Sequence, residues 1–186
     1  MKESIENAVR VLREGGLILY PTDTVWGIGC DATNEKAVEK VFALKQRSDS
    51  KSLIVLAESL DMVAQYVQEL PPMAEQLTEV SDSPLTIIYP GALGLAPNVI
   101  AQDGSVAIRI PDHEFCRQML HRFRKPIVST SANISGEKTA IHLQDVADAI
   151  LKGVDFSVDS RFEGNPTGKP SSIIMLGLHY EVKVIR

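Results

Sequence analysis

Short apolar runs and amphipathic helical patterns alternate along the chain, and this alternation restricts the fold more than any other feature. Apolar residues over 5–14 recur at the three- and four-residue spacing of a helix, and Gly15-Gly16 follows as a stop signal. The apolar run 17–20 is then short enough to be a buried strand. Because the same change of pattern recurs along the rest of the chain, we predict an α/β protein.

The remaining elements are predicted from the same patterns. Helices are expected over 37–44, capped by Thr33 or Asn34, and over 60–67, 71–80, 113–123 and 143–151. Strands are expected over 53–57, 85–89, 106–110, 127–128, 172–175 and 180–185, and polar loops over 129–136 and 161–171. No linker rich in Ser, Gly and Pro interrupts the pattern, so residues 1–186 are expected to form one domain.

The composition excludes several classes of protein. A hydrophobic content of 44% and a charged content of 23% are typical of globular proteins, not of disordered or fibrous ones. No apolar stretch approaches the roughly 18 residues of a membrane span, and no apolar segment of a signal peptide is present. Cys30 and Cys116 stand far apart, which predicts reduced thiols in a cytoplasmic protein. The net charge of -5 argues against a surface devoted to nucleic acid.

Two glycine-containing segments look like phosphate-binding motifs but lack the context. Residues 27–32 match G-x-G-x-x-A, yet polar residues precede them where a dinucleotide motif needs an apolar strand. The glycines there would instead let a strand twist or let backbone approach closely. Residues 164–171 lack the spacing of a P-loop, and Pro170 removes an N–H that a phosphate cradle needs. The four histidines are dispersed, so no zinc site is predicted.

Four polar segments flank or interrupt apolar strands, which is where α/β proteins place their ligands. In the first, 20–27, Asp23 could bond backbone amides of a turn, or the two threonines and the carboxylate could bind a ligand. In the second, 44–53, the cations could complement a helix dipole or grip an anion.

The other two polar segments leave similar alternatives open. In 106–113, Arg109 stands in an apolar strand, so it must pair with a protein carboxylate such as Asp112 or bind a carboxylate ligand. In 127–136, four hydroxyls and an amide follow a strand. They could form a turn or a platform for phosphate and ribose oxygens.

Together the segments resemble the YrdC family. The matching stretches are YPTDTVWGIGCDA (20–32), KQR (45–47), SPLTIIYPG (83–91), VAIRIPDH (106–113), STSANISG (129–136) and PSSII (170–174). The K-x-R and S-x-N signature of the family falls on Lys45, Arg47, Ser131 and Asn133. The sequence departs from the family pattern at Ser48 and Ser52, where prolines are usual, at Trp26, where tyrosine is common, and at Ser81-Asp82-Ser83-Pro84, where Trp-Pro-Gly-Pro is common.

The resemblance implies a fold, an activity and partners. The fold would be a single YrdC-like catalytic domain over 1–186, a twisted mixed sheet flanked by helices around a central open cavity. The activity would be that of the threonylcarbamoyl-AMP synthases, nucleotidyltransferases that convert L-threonine, bicarbonate and ATP into threonylcarbamoyl-adenylate and pyrophosphate. A tRNA threonylcarbamoyl transferase complex would then use the adenylate to form N6-threonylcarbamoyladenosine. Mg²⁺ would enter with ATP, and no organic cofactor is implied.

The resemblance also implies roles for particular residues. The catalytic set would be Lys45, Arg47, Ser131 and Asn133, and the same four with Thr86 would bind ATP. Arg109 would clamp the threonine carboxylate, while Thr22, Thr24 or Ser171 would read its hydroxyl and amine. The metal ligands are not specified.

Two other functions compete with this one. One is an RNA-binding or ribosome-assembly module, for which Arg117, His121 and Arg124 on one predicted helix face would bind RNA weakly. The other is a sister group of the family without synthase activity, which the K-x-R and S-x-N residues disfavour.

Overall fold

The computed structural model of the chain describes residues 1–47 and 53–186. Ser48, Lys51 and Ser52, which belong to the polar segment 44–53, lie outside the described residues. The helices of the described part are α1 (Lys2–Arg13), α2 (Glu35–Lys45), α3 (Leu60–Ala64), α4 (Ala74–Val80), α5 (Glu114–Phe123) and α6 (Asp148–Gly153). Its strands are β1 (Ile18–Tyr20), β2 (Gly27–Gly29), β3 (Ile54–Leu56), β4 (Leu85–Tyr89), β5 (Val106–Arg109), β6 (Ile127–Ser131), β7 (Phe156–Ser157), β8 (Ser172–Leu176) and β9 (Val182–Val184).

The nine strands found in the described residues form one mixed, twisted sheet in the order β7-β1-β2-β6-β3-β5-β4-β8-β9. The pairs β1–β7, β3–β5 and β4–β8 are parallel, and the other neighbours are antiparallel. Helices flank the sheet, with α1 packed against α5 and α2 against α6. The predicted α/β class and the predicted mixed sheet flanked by helices are therefore confirmed.

Side-chain caps begin α2, which leads into the polar segment 44–53, and α5, which follows the polar segment 106–113. The Asn34 side chain accepts a hydrogen bond from the Ala37 amide at 3.1 Å and starts α2, as expected of an N-cap asparagine. The His113 ring accepts from the Cys116 amide at 3.5 Å and starts α5. At the other end of α2, Gln46 has a left-handed φ of 50° and stops the helix.

Several predicted boundaries were wrong. The helix expected over 60–67 ends at Ala64, and the one expected over 143–151 divides into a 3₁₀ turn (Leu143–Asp145) and α6. The strand expected over 127–128 continues through Ser131, which was predicted to be loop. Because β6 lies between β2 and β3, its polar end has strand partners on both sides, and the sheet overrides the preference of serine and threonine for turns.

Strand β2 was not predicted as a separate strand because two of its three residues are glycine, which weakens strand patterns. Gly29 is needed for close packing. A Cβ at Gly29 would stand 2.7 Å from the Tyr20 ring and 2.9 Å from the Val128 carbonyl oxygen. The expected close approach of backbone is confirmed at Gly29, and no helix follows β2 directly to make a dinucleotide site.

The hydrophobic core extends along the sheet, with Trp26, Tyr20, Tyr89 and Phe115 among its largest fully buried side chains. Cys30 and Cys116 are both buried free thiols, and burial raises the pKa of each. Within the described residues, no helix has the length and apolar character needed to cross a bilayer.

Candidate active site

A cavity of about 580 Å³ opens over one face of the sheet. Apolar side chains from neighbouring strands, Ile54 of β3, Ala107 of β5 and Ile88 of β4, form part of its wall. Six of the predicted site residues line it: Thr22, Thr24, Arg47, Arg109, Ser131 and Ser171. The geometry therefore brings residues from distant parts of the chain to one cavity, as the resemblance implied.

Lys45, the last residue of α2, lies just behind the cavity wall and is 2% exposed. Its ammonium donates to the carbonyl oxygens of Ser131 at 2.5 Å and Asn133 at 2.7 Å. The Asn133 amide in turn donates to the carbonyls of Ile134 and Glu137. Lys45 and Asn133 thus fix the end of β6, where Ser131 lines the cavity, and the loop that follows it.

The ammonium group of Lys45 is buried. Burial, with a smaller effect from the charge of Arg47, lowers the pKa of Lys45 from 10.5 to about 8. Arg47 is half-buried and lines the cavity itself, and burial lowers its pKa as well. An anionic ligand in the cavity would contact Arg47 directly. Lys45 would act on the ligand only indirectly, by holding the backbone at Ser131 and Asn133.

Arg109, at the end of β5, is 5% exposed and forms an ion pair with Asp23. Its second terminal nitrogen donates to the Thr24 hydroxyl at 3.3 Å. The other Asp23 oxygen accepts from the Asp112 backbone amide at 3.1 Å. The protein carboxylate beside Arg109 is therefore that of Asp23, whereas the sequence had suggested Asp112, whose side chain instead lies 3.5 Å from Arg117.

Thr22 and Thr24 face the cavity within a tight polar turn. The Thr22 hydroxyl donates to the Val25 carbonyl at 2.7 Å and lies 2.9 Å from the Thr24 hydroxyl. The Thr24 amide donates back to Thr22 Oγ1 at 3.1 Å. The threonines therefore stabilise a turn, as one of the two alternatives expected, and the turn lines the cavity. Ligand binding by these residues stays a prediction.

Thr86 of β4 and Ser171, just before β8, form a buried hydroxyl pair with 2.7 Å between the oxygens. Ser171 lines the cavity, and Thr86 supports it from the sheet. The Arg186 guanidinium also lines the cavity and donates to the Ser171 carbonyl from two nitrogens, at 3.0 and 3.2 Å. Arg186 thus brings a further cation to the wall beside Ser171.

Glu163 connects Trp26 with His142, because its carboxylate contacts both side chains. The Trp26 indole N–H donates to the Glu163 carboxylate at 2.7 Å, and Trp26 also lines the cavity. The His142 ring pairs with the other carboxylate oxygen, and this hydrogen bond raises the pKa of His142. Burial opposes ionisation of Glu163, but the hydrogen bonds from His142 and Trp26 prevail and lower its pKa.

Comparison with known proteins agrees with the motifs. The sequence profile of the Sua5/YciO/YrdC family, described as telomere recombination, matches residues 10–186. The chain belongs to this family. A threonylcarbamoyl-AMP synthase of Pseudoalteromonas translucida is 33% identical over 175 residues, 92% of each chain. One of Vibrio cholerae is 36% identical over 165 residues, 87% of this chain and 88% of the relative.

Solved structures of the Sua5/YciO/YrdC family share the fold. P. abyssi Sua5 complexed with L-threonine has a TM-score of 0.91 and 29% identity; the match covers all of this chain and 54% of Sua5. E. coli YciO has a TM-score of 0.84, and the match covers 89% of the YciO chain. At 23% identity, this likeness supports the fold alone. The chain thus spans about half of the Sua5 length and nearly all of YciO.

Within this family fold, three predicted site residues stand behind the cavity wall and do not line it: Lys45, Thr86 and Asn133. Five lining residues with a polar group in the side chain were not among the predicted ones: Trp26, Ser129, Thr130, Thr139 and Arg186. Trp26 and Thr130 could have been found, because they belong to the quoted motifs. Nothing local to Thr139 or Arg186 distinguishes them, because tertiary structure alone brings them to the cavity. The roles assigned to the site residues remain predictions.

The described part of the chain contains no cluster of side chains typical of a protein metal site. Across 1–47 and 53–186, no three side chains of His, Cys, Asp or Glu converge as a metal site would require.

Proposed function

We propose that the chain is a threonylcarbamoyl-AMP synthase that uses L-threonine, bicarbonate and ATP. The observation that carries the proposal is the pairing of cations in one cavity: Arg47 and Arg109 line it together with Ser131 and Ser171. The names of relatives 33–37% identical to the chain support the same activity over an RNA-binding module. The reaction is a nucleotidyl transfer that supplies an adenylate for tRNA modification.

The chemistry explains why cations and hydroxyls are needed together. The threonine amine attacks the bicarbonate carbon, water is lost, and an anionic carbamate results. A carbamate oxygen then attacks the α-phosphorus of ATP, and the bond to pyrophosphate breaks. Because both reactants are anions, fixed positive charge must offset their repulsion, and holding them in line lowers the barrier by several kcal/mol, on the order of 7 in favourable cases.

The polyphosphate is expected at Arg47. Its guanidinium can grip phosphate oxygens through two parallel N–H donors, which a lysine cannot do. Ser131 offers a hydroxyl on the same wall, and Lys45 and Asn133 hold the end of β6 that carries Ser131. We expect Mg²⁺ to enter with the triphosphate and to take its ligands from phosphate and water.

The amino acid is expected at Arg109. The threonine carboxylate would bind the guanidinium, and its hydroxyl and amine would meet Thr22, Thr24 or Ser171, which line the same part of the cavity. The P. abyssi Sua5 structure that matches this chain is complexed with L-threonine. A tRNA threonylcarbamoyl transferase complex is the expected consumer of the product, and the cytoplasm is the expected location.

The RNA-binding alternative relied on the basic face of α5. On that face Arg117 contacts Glu114 at 2.6 Å, and the His121 ring contacts Glu58 at 2.7 Å. Two of the three residues of this face therefore already contact protein carboxylates, which weakens their attraction for phosphates. These contacts of α5 favour the synthase activity over an RNA-binding module.

The deciding experiment is a pyrophosphate-release assay with the purified chain, ATP and Mg²⁺. Release should require both threonine and bicarbonate, and Arg47→Ala should reduce kcat by about 100-fold or more while the circular dichroism spectrum is unchanged. Arg117→Ala is the matched control and should keep its activity. Release without threonine, or an active Arg47→Ala variant, would contradict the proposal.

A further inference from the structure

We propose that Asp23 is a positioning residue for substrate recognition. Its carboxylate fixes the Arg109 guanidinium so that the remaining N–H donors of Arg109 grip the carboxylate of the amino-acid substrate. The inference rests on the proposed function, because it assigns the amino-acid end of the cavity to Arg109.

Asp23 stands behind Arg109 as seen from the cavity. Arg109 lines the 580 Å³ cavity, whereas Asp23 lines a second cavity, of about 520 Å³, together with Asp112. The Asp23 side chain is 12% exposed and contacts Arg109 through one oxygen, while its other oxygen accepts from the Asp112 amide at 3.1 Å. Because both oxygens are engaged, the carboxylate is fixed and can fix its partner. Asp23 would thus act through Arg109 without touching the substrate.

The Arg109 guanidinium keeps N–H donors that can bind a ligand. A guanidinium has five N–H groups, and in Arg109 one points to Asp23 and one to the Thr24 hydroxyl, 3.3 Å away. Three donors remain, on Nε and on both terminal nitrogens. Two parallel donors are sufficient for bidentate binding of a carboxylate. Asp23 and Thr24 therefore determine which edge of the fork faces the cavity without exhausting its capacity.

Burial makes this support necessary. Arg109 is 5% exposed, and a buried cation without a counter-charge is strongly unfavourable. With Asp23 present, the guanidinium can stay charged and oriented before the substrate arrives, so less side-chain freedom is lost on binding. Replacing Asp23 by Asn keeps the shape and the backbone, including the Asp23 carbonyl that accepts from the Thr167 amide at 3.0 Å. The variant removes the charge and one of the two acceptor oxygens.

The test compares the effect of Asp23→Asn on threonine and on ATP. Charged hydrogen bonds are worth enough that we expect the KM of threonine to rise about tenfold and the KM of ATP to change by less than about twofold. Trp26 is the chain's one tryptophan and lines the cavity, so its fluorescence reports threonine binding without catalysis. Asp112→Asn, at an exposed side chain of the same second cavity, is the matched control and should match the wild type.

A double-mutant cycle with Arg109→Lys separates positioning from a merely structural role. In the Lys variant the fork is absent, so adding Asp23→Asn should change the threonine Kd by less than about twofold. If Asp23→Asn does not fold, Asp23→Glu replaces it in the cycle, and we expect about a threefold weaker threonine Kd because the carboxylate moves by one methylene.

Equal effects on threonine and ATP, or effects that add in the Lys background, would overturn the role of Asp23. So would a threonine Kd unchanged by either Asp23 variant. A wild-type chain that binds threonine but releases no pyrophosphate would instead contradict the proposed function alone.

Discussion

Replacing Lys45 by Met tests whether the buried ammonium is charged at a free-energy cost in the folded protein. The pKa of Lys45 falls from 10.5 to about 8, chiefly because burial disfavours the charged form. At about 1.4 kcal/mol per pH unit, this difference is worth about 3 kcal/mol. The folded state carries that cost in full below pH 8, where the lysine must be charged.

The sign of the pH dependence follows from proton binding. Between pH 8 and 10.5 the unfolded chain binds more protons at Lys45 than the folded chain does, so raising the pH stabilises the fold through this residue. Burial raises the pKa of Tyr20, Cys30 and Cys116, and these groups have the opposite effect at high pH. Wild type and variant share them, so the difference between the two proteins isolates Lys45.

The assay is urea unfolding followed by Trp26 fluorescence at several pH values. We expect the wild-type free energy of unfolding minus that of Lys45→Met to increase by about 2 kcal/mol from about pH 7.5 to about pH 9.5. The same replacement at Lys36, an exposed residue of α2, controls for loss of a lysine charge. A difference that does not change with pH would refute the account of Lys45 as a buried charge.

Three further variants test the packing and the polar contacts of the site. Thr86→Val removes one partner of the buried hydroxyl pair with Ser171 and should lower the free energy of unfolding by about 1–3 kcal/mol, measured by urea unfolding. Glu163→Gln should lower the pKa of His142 towards the usual value for histidine, measured by NMR titration; an unchanged pKa would contradict the Glu163 contact as its cause. Gly29→Ala should destabilise the fold by about 1–3 kcal/mol, because the new Cβ meets backbone 2.9 Å away.

Matched controls exist for the two stability predictions. Thr78→Val, at a half-exposed position of α4, should leave the free energy of unfolding nearly unchanged. Gly27→Ala adds a Cβ whose nearest neighbours are 3.4 and 3.5 Å away, which is ordinary contact. If either control destabilised the protein as much as its test variant, the proposed causes would be wrong.

Local patterns predicted the elements whose determinants are local. The helix at 37–44 appears as α2 because its apolar spacing and its Asn34 cap lie within a few residues of each other. Strand β6 was predicted too short because the partners of Ser129 and Ser131 are Ile54 and Gly27, far away in the chain. Sheet pairing of this kind leaves no signal in the strand itself.

The same distinction separates the predicted and the missed parts of the site. Arg109 could be identified because a cation in an apolar strand needs a partner, yet that partner lies 86 positions away, at Asp23. The contact between Trp26 and Glu163 spans 137 positions and has no local trace. Residue types thus indicated an anion-binding cavity, whereas only the folded chain shows which polar groups support each other.

We expect this cavity to join threonine, bicarbonate and ATP into one adenylate. The most direct measurement is mass spectrometry of the product formed by the purified chain from ¹³C-bicarbonate, threonine and ATP. We expect threonylcarbamoyl-adenylate that carries the label in its carbamoyl carbon, in amounts equal to the pyrophosphate released. An adenylate without the label, or pyrophosphate release without this product, would contradict it.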